Sequence, residues 1–228
     1  NNFSCASLKF GRVGGNGAGL GALAFSTTGN PARTGAVAVS CGGTNSNGGS
    51  TGTITFQSGS TLTAGSIQLG NTGGGGSAGV INMASGGTLQ VNGAITVQTV
   101  TGNTWTPGTG TVILNATNTL PSTIFTSFNN LVISGGTSTL GVNTNVTGAL
   151  TLGAGATLAL GARTLGSPTS LIMFGGASSN PGSSITGTGL LTLGGNVTIN
   201  RAVTWTKGAT TLAPVALGAT RTFTVADD

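Results

Sequence analysis

Side chains that carry out acid–base, nucleophilic or metal chemistry are almost absent from this sequence. Its 228 residues contain no histidine, and the only two carboxylate side chains belong to Asp227 and Asp228. General acid–base catalysis near neutral pH relies mainly on His, Asp and Glu, and metal sites use these residues or cysteine. We therefore expect no catalytic residues, no metal site and no cofactor, and we predict that the protein is not an enzyme.

The net charge of +5 reflects a shortage of acids and not an abundance of bases. Only seven residues are Lys or Arg; they are scattered singly, and none lies between Arg33 and Arg163. Binding to nucleic acid needs clustered basic residues, because the affinity comes from several phosphate contacts made together. We therefore expect no nucleic-acid partner.

Cys5 and Cys41 are the only cysteines. A single pair in a chain of small polar residues predicts a disulfide and an oxidising compartment, and the alternative is two buried free thiols. No apolar run approaches the ~20 residues of a membrane helix, so we predict that the chain does not span a membrane. The sequence begins at Asn1 without Met, as expected of a mature exported protein. These features predict an extracellular or cell-surface location.

Short runs of alternating apolar and polar residues predict β-strands. The runs at 53–56, 80–83 and 111–114 place Ile, Phe, Met, Val or Leu on one face and mainly Thr or Asn on the other. A period of two is typical of a strand with one buried face, and apolar residues do not recur at helical spacing. The chain is therefore predicted to be all-β.

The strand runs also repeat along the chain. Ile54 aligns with Ile81, and after one inserted residue Ile67 aligns with Ile95. The same frame returns near position 150. The larger apolar residues of these runs are predicted to stack as a core ladder: Ile54, Phe56, Leu62, Ile81, Met83, Leu89, Leu150, Leu152 and Leu158.

A repeat of this length, with several strands in each unit, indicates a solenoid, because stacked coils bury apolar faces that one coil alone cannot bury. We predict a single-stranded parallel β-helix (β-solenoid) over residues 51–228. Residues 1–50 hold both cysteines and show no visible repeat, so we interpret them as a distinct N-terminal cap or docking segment. The alternative fold is one or two antiparallel β-sandwiches.

Three low-complexity runs carry a resemblance to a known group of proteins. They are WTPGTGTVILN at 105–115, FNNLVI at 128–133 and VTGALTL at 146–152. These runs resemble repeats of large secreted bacterial surface proteins, the adhesins and autotransporter passengers, over roughly residues 50–225. The resemblance implies a parallel β-helix and a surface role, and it implies no set of catalytic residues.

Two residue types are candidate binding groups. Trp105 and Trp205, which begin two similar Thr-rich runs, would suit sugar stacking, but strand alternation favours packing in the core. Outward Thr-x-Thr pairs would suit an ice-binding hydroxyl array, although Thr is also the favoured polar residue of half-exposed strands. The pairs are Thr53/Thr55, Thr61/Thr63, Thr104/Thr106, Thr204/Thr206 and Thr222/Thr224.

Two functional hypotheses follow. The first is a structural subunit that assembles into an extracellular filament or surface layer as a homo-oligomer, because open solenoid edges pair with other chains and little charge opposes stacking. The second is a monomeric adhesin or a carbohydrate- or ice-binding solenoid, with a surface glycan among its candidate ligands. The candidate subunit contacts are Phe3, Phe10, Phe25, Phe223 and Val225, with Leu23 and Ala24 of the apolar run at 22–25.

Overall fold

Every regular element that the structure describes is a β-strand, and no described residue lies in a helix. The computed structural model describes residues 8–9, 20–24, 36–39, 50–72, 76–121, 124–175, 182–200, 215–217, 220 and 222–226. Two compact units, Asn1–Gly110 and Thr111–Asp228, make up the chain. In each unit, strands of successive coils pair in parallel. This pairing confirms the predicted β-solenoid and is not that of an antiparallel sandwich.

The described strands of the first unit include two full coils, β4–β5–β6 and β7–β8–β9. The strands are β1 (Leu8–Lys9), β2 (Leu20–Ala24), β3 (Ala36–Val39), β4 (Ser50–Thr55), β5 (Thr61–Ala64), β6 (Ser66–Leu69), β7 (Ser77–Asn82), β8 (Thr88–Val91), β9 (Ile95–Val97) and β10 (Thr104–Thr106). Strands β2, β4, β7 and β10 form one parallel sheet, β1, β3, β6 and β9 form another, and β5 pairs with β8.

The register of the first unit follows the predicted repeat. Ile54 pairs with Ile81 and Ile67 pairs with Ile95, so the single inserted residue between the two alignments is confirmed. Identical or similar apolar side chains thus lie above one another on the inner face, where each covers the next.

Strands from the predicted N-terminal segment continue the same ladders. Leu23 of β2 pairs with Ile54, and Val37 of β3 pairs with Ile67. The described part of residues 1–50 is therefore joined to the solenoid by strand pairing. The division into compact units falls after Gly110.

The described strands of the second unit include four full coils and three further strands. They are β11 (Thr111–Leu114), β12 (Asn118–Leu120), β13 (Ser127–Phe128), β14 (Asn130–Ile133), β15 (Thr137–Leu140), β16 (Thr144–Val146), β17 (Ala149–Leu152), β18 (Thr157–Gly161), β19 (Leu165–Gly166), β20 (Ser170–Phe174), β21 (Ser184–Gly187), β22 (Leu191–Leu193), β23 (Asn196–Asn200), β24 (Val215–Leu217) and β25 (Phe223–Ala226).

These strands lie in three parallel sheets. Within the second unit, sheet 1 has the order β11-β14-β17-β20-β23-β25, sheet 2 has β12-β15-β18-β21, and sheet 3 has β13-β16-β19-β22-β24. Leu150 pairs with Leu131 of the preceding coil and with Leu171 of the following one. The early coils of this unit are therefore shorter than those of the first unit, in which Ile54 pairs with Ile81.

The inner faces of the strands form the core. Every residue of the predicted core ladder is buried. Between β13 and the segment before it, the rings of Phe125 and Phe128 are nearly parallel, with centroids 6.1 Å apart. Burial of a large aliphatic or aromatic side chain contributes about 1.5–3 kcal/mol relative to exposure, so these ladders are the main source of stability.

The corners between strands use glycine where the sequence repeat predicted it. Gly59, Gly86 and Gly155 have φ values of 77°, 101° and 75°. This left-handed region is costly for residues with a Cβ atom, and glycine enters it freely. The motif that recurs near position 150 is therefore a shared strand–corner–strand conformation, even though the coil length differs.

Candidate functional site

Two apolar side chains on the last strands of the second unit are exposed although their equivalents in the preceding coil are buried. Phe223 on β25 pairs with Val197, and the two side chains are 55% and 4% exposed. Leu217 on β24 pairs with Leu193, and these are 50% and 2% exposed. We call Leu217 and Phe223 the open end.

The exposure follows from the position of these residues in their ladders. An inward side chain of a middle coil is covered on both sides by its equivalents, whereas Leu217 and Phe223 each have an equivalent on one side only among the described residues. Strands β24 and β25 each stand at the end of their sheet and pair with a single described strand. Within the described part of the chain, their outer backbone groups face no further strand, as at a sheet edge that accepts another strand.

Charge is nearly absent from the described surface. Arg163, which is exposed, is the only charged residue among the side chains whose burial the structure describes. Within that part of the chain, no group of three or more His, Cys, Asp or Glu side chains lies together. None of these described residues belongs to a helix with the length and apolar character needed to cross a membrane. The site thus offers apolar and hydroxyl surfaces.

The structure places the predicted contact residues unequally. Phe223 belongs to the open end. Val225, two residues further along β25, pairs with Ile199 of β23. Leu23 and Ala24 lie in β2, an end strand of its sheet. The remaining predicted contacts, together with both cysteines and the second tryptophan, lie outside the described residues: Phe3, Phe10, Phe25, Cys5, Cys41 and Trp205.

Trp105 occupies the inward column of its sheet. It pairs with the buried Ile81 and is itself half-buried. This placement agrees with the interpretation of Trp105 as a packing residue, because a sugar-stacking ring would stand on the outer face.

The Thr-x-Thr pairs on β4 and β5 do not stack into a continuous hydroxyl array, and Thr204 and Thr206 lie outside the described residues. Thr53 and Thr55 of β4 pair with Val80 and Asn82 of β7. On strand β5 one of the two threonines does stack on another threonine: Thr61 pairs with Thr88, but Thr63 pairs with Gln90. In both cases the next coil therefore interrupts the hydroxyl pattern.

A regular hydroxyl surface lies instead on the outer side of sheet 2. Strand alternation buries one residue column of this sheet, which consists of Asn118, Ser138, Leu158 and Ile185, and turns the neighbouring residues outward. We call the outward hydroxyl residues the hydroxyl face: Thr119, Thr137, Thr139, Thr157, Ser184 and Thr186.

The hydroxyl face has two columns. Thr137, Thr157 and Ser184 form the first, and the hydroxyls of Thr157 and Ser184 are 2.9 Å apart. Thr119 and Thr139 begin the second, which continues through Ala159 to Thr186.

The sequence does contain a repeat that marks this face, but the repeat length of the first unit does not bring its two runs into alignment. Thr137-x-Thr139 is followed by the similar run Thr157-x-Ala159, and the interval between them matches the shorter coils of the second unit. Only the register shows that the two runs are neighbours.

The comparisons with other proteins give no family for this chain. No protein-family model matches it, and neither the curated proteins nor the solved structures give a match. The class that the fold defines is the parallel β-solenoid, and this assignment depends on strand register and burial alone.

Proposed function

We propose that this chain is a non-enzymatic structural subunit of an extracellular filament or surface layer that assembles from copies of itself. The single observation that carries the proposal is the open end, where Leu217 and Phe223 expose apolar surface next to the buried Leu193 and Val197. The partner is a second copy of the chain, whose first coil continues the ladders. The resemblance to secreted bacterial surface proteins supports the extracellular location.

Apolar burial alone is too weak to hold such an assembly. Leu217 and Phe223 are already about half buried, so covering the rest of both contributes only about 1.5–3 kcal/mol in total, at about half of the 1.5–3 kcal/mol of full burial each. A micromolar complex needs about 8 kcal/mol after the entropy of association has been offset. The backbone edge of β24 and β25 must therefore pair as well, which makes the proposed contact a strand addition.

The first unit offers the complementary edge. Strands β1 and β2 each stand at the end of their sheet and pair with one described strand, β3 and β4 respectively. A contact between two different ends of identical subunits is head-to-tail, and it continues as an open filament when the rotation does not close into a ring. The near absence of charged side chains leaves little electrostatic repulsion against stacking.

Negative-stain electron microscopy and light scattering over a concentration series test the proposal. We expect the native chain to form elongated particles and Phe223→Asp to remain monomeric, because a carboxylate at the open end would be desolvated on stacking. The matched control is Phe174→Asp, which alters a phenylalanine that is 39% exposed on β20, away from the last strands. Equal assembly of both variants, or a monomeric native chain at all concentrations, would overturn the proposal.

The rival hypothesis is a monomeric binding module, either an adhesin or a solenoid that binds carbohydrate or ice. It predicts a monodisperse particle by light scattering and a ligand recognised on a lateral surface. The hydroxyl face is the observation that favours a binding role, and that role is compatible with assembly because the face lies to the side of the coil stack in the second unit.

A further inference from the structure

The corner between β8 and β9 contains the residue that is inserted into the repeat of the first unit. The register of β6 with β9 is offset by one residue from that of β5 with β8, so the extra residue lies between β8 and β9. Asn92, Gly93 and Ala94 form this corner, and the side chain of Asn92 is exposed. The corner therefore presents a side-chain amide to water directly before a glycine.

The packing of the coils requires glycine at position 93. A Cβ atom there would overlap the carbonyl oxygen of Gly65 in the preceding coil, and a backbone atom cannot move aside as a flexible side chain can. The backbone nitrogen of Asn92 donates to the carbonyl oxygen of Ala64 at 2.8 Å, which holds the two corners together. The fold thus places after Asn92 the one residue that has no side chain to shield its backbone nitrogen.

An asparagine that precedes a glycine can react with its own main chain. The backbone nitrogen of the glycine attacks the side-chain Cγ atom, a five-membered succinimide ring forms and ammonia leaves; water then opens the ring to aspartate or isoaspartate. Glycine favours ring closure because it reaches backbone conformations that other residues avoid. The backbone nitrogen of Gly93 donates no hydrogen bond to a described residue. We propose that Asn92 is a site of spontaneous deamidation, at which the side-chain amide and water become a carboxylate and ammonium.

Gln90 provides a hydrogen-bond donor for the oxygen atom that becomes negative during ring closure. Its Nε2 atom donates to Oδ1 of Asn92, and the two atoms are 3.2 Å apart. When the nitrogen of Gly93 attacks Cγ, electrons move onto Oδ1, and a hydrogen bond to that oxygen strengthens as the charge grows. Gln90 lies on β8, and its pairing with Thr63 of β5 fixes its backbone position.

Asn145 shows why exposure alone does not make such a site. Its side chain is exposed on β16, but the next residue, Val146, is β-branched and buried within the same strand. The branched side chain is stiff and shields the backbone nitrogen, and the strand holds the main chain extended. Asn145 should therefore keep its amide and serves as an internal control.

Conversion of Asn92 changes both the charge and the main chain of the first unit. The only carboxylate side chains in the sequence are those of Asp227 and Asp228, so the reaction adds an acid far from both and lowers the net charge of +5 by one unit. The isoaspartate product also routes the main chain through the side chain, which lengthens it at a corner where two coils are in close backbone contact.

Peptide mapping of the full chain after storage at mildly alkaline pH tests the proposal. We expect Asn92 to gain the small mass that accompanies the change from amide to acid, and Asn145 to remain unchanged. The conversion should be faster at higher pH, because the backbone nitrogen attacks after losing its proton. Fragmentation of the peptides locates the converted residue and separates Asn92 from the other two Asn-Gly pairs of the sequence, which begin at Asn16 and Asn47.

Two variants separate the effect of this corner from the reactivity of any Asn-Gly pair. Gln90→Thr copies Thr63, its neighbour in the preceding coil, and should slow the conversion about fivefold, the factor expected from loss of one neutral hydrogen bond. Asn92→Gln should stay unconverted, because its longer amide must close a larger ring. Circular dichroism establishes that each variant is folded. The inference is wrong if Asn92 keeps its amide, if Asn145 converts at the same rate, or if Gln90→Thr converts as fast as the native chain.

Discussion

Asn118 and Ser138 are paired on neighbouring strands of sheet 2, and both side chains are buried on its inner side. The amide nitrogen of Asn118 donates to the carbonyl oxygen of Ala116 at 2.9 Å, but its Oδ1 atom and the Oγ atom of Ser138 have no hydrogen-bond partner among the described residues. The next two residues of the same column are the apolar Leu158 and Ile185. The column therefore changes from polar to apolar within one coil.

This change predicts opposite effects for two neighbouring substitutions. A buried hydroxyl without a partner costs about 1–3 kcal/mol, so Ser138→Ala should raise the free energy of unfolding by about 1 kcal/mol. Leu158→Ala, one coil away, should lower it by about 2–5 kcal/mol because it leaves a cavity. Chemical denaturation of the native chain and both variants measures these values. A loss of stability in Ser138→Ala would show that its hydroxyl is hydrogen-bonded in solution.

The sequence predicted the fold where large side chains marked the repeat without ambiguity. Only one alignment superimposes both Ile54 on Ile81 and Leu62 on Leu89. In the structure each of these pairs lies side by side on neighbouring parallel strands. The alternation of Thr with these residues identified the buried face, because a strand that is half-buried has a strict period of two.

The second unit was harder to predict because its coil length changes. Leu131 pairs with Leu150, Leu150 with Leu171, and Leu171 with Val197, so the interval along the chain grows from each coil to the next. Runs of Gly, Thr and Leu align almost equally well at several offsets, so composition does not fix the register. The hydroxyl face depends on that register and was not identified from the sequence. Of the open end, Phe223 is among the predicted subunit contacts, whereas Leu217 is not.

Two glycines with almost the same backbone conformation offer a comparison of steric crowding. Gly136 has φ +63° and Gly161 has φ +60°. A Cβ atom at Gly136 would lie 2.5 Å from the backbone nitrogen of Thr117, whereas one at Gly161 would have no atom within 4 Å. Both alanine variants lose about 1–2 kcal/mol to the left-handed conformation.

Gly136→Ala should therefore be the more destabilising of the two variants, because it adds a clash with backbone of the preceding coil to the shared conformational cost. The difference in urea midpoint between the two variants measures the clash alone. If the variants prove equally stable, the chain relaxes around Gly136 and the close packing of these coils does not constrain the corner.

Cys5 and Cys41 remain predicted to form a disulfide, and both lie outside the described residues. Cys5 precedes β1 and Cys41 follows β3, and these strands pair in parallel with Leu8 beside Val37. A disulfide requires its two Cα atoms to lie within about 7 Å of each other. We expect alkylation to modify neither cysteine before reduction and both after it, as measured by mass spectrometry.

Loss of this disulfide should also lower stability. Closing a loop of this length contributes about 4 kcal/mol in the chain-entropy description, so Cys41→Ser should unfold at a lower urea concentration than the native chain under non-reducing conditions. Under reducing conditions the two proteins should behave alike. Two alkylated cysteines without prior reduction would establish free thiols instead.

The absence of histidine predicts a stability that does not vary with pH near neutrality. The free energy of unfolding changes with pH only where the folded and unfolded chains bind different numbers of protons. No side-chain type in this sequence has an ordinary pKa between about 5 and 8, because histidine is absent and an aspartate carboxyl group ordinarily has a pKa near 4. We expect equal urea midpoints at pH 5, 6 and 7. A change of about 1 kcal/mol across this range would require a cysteine or terminal group whose pKa the fold has moved into it.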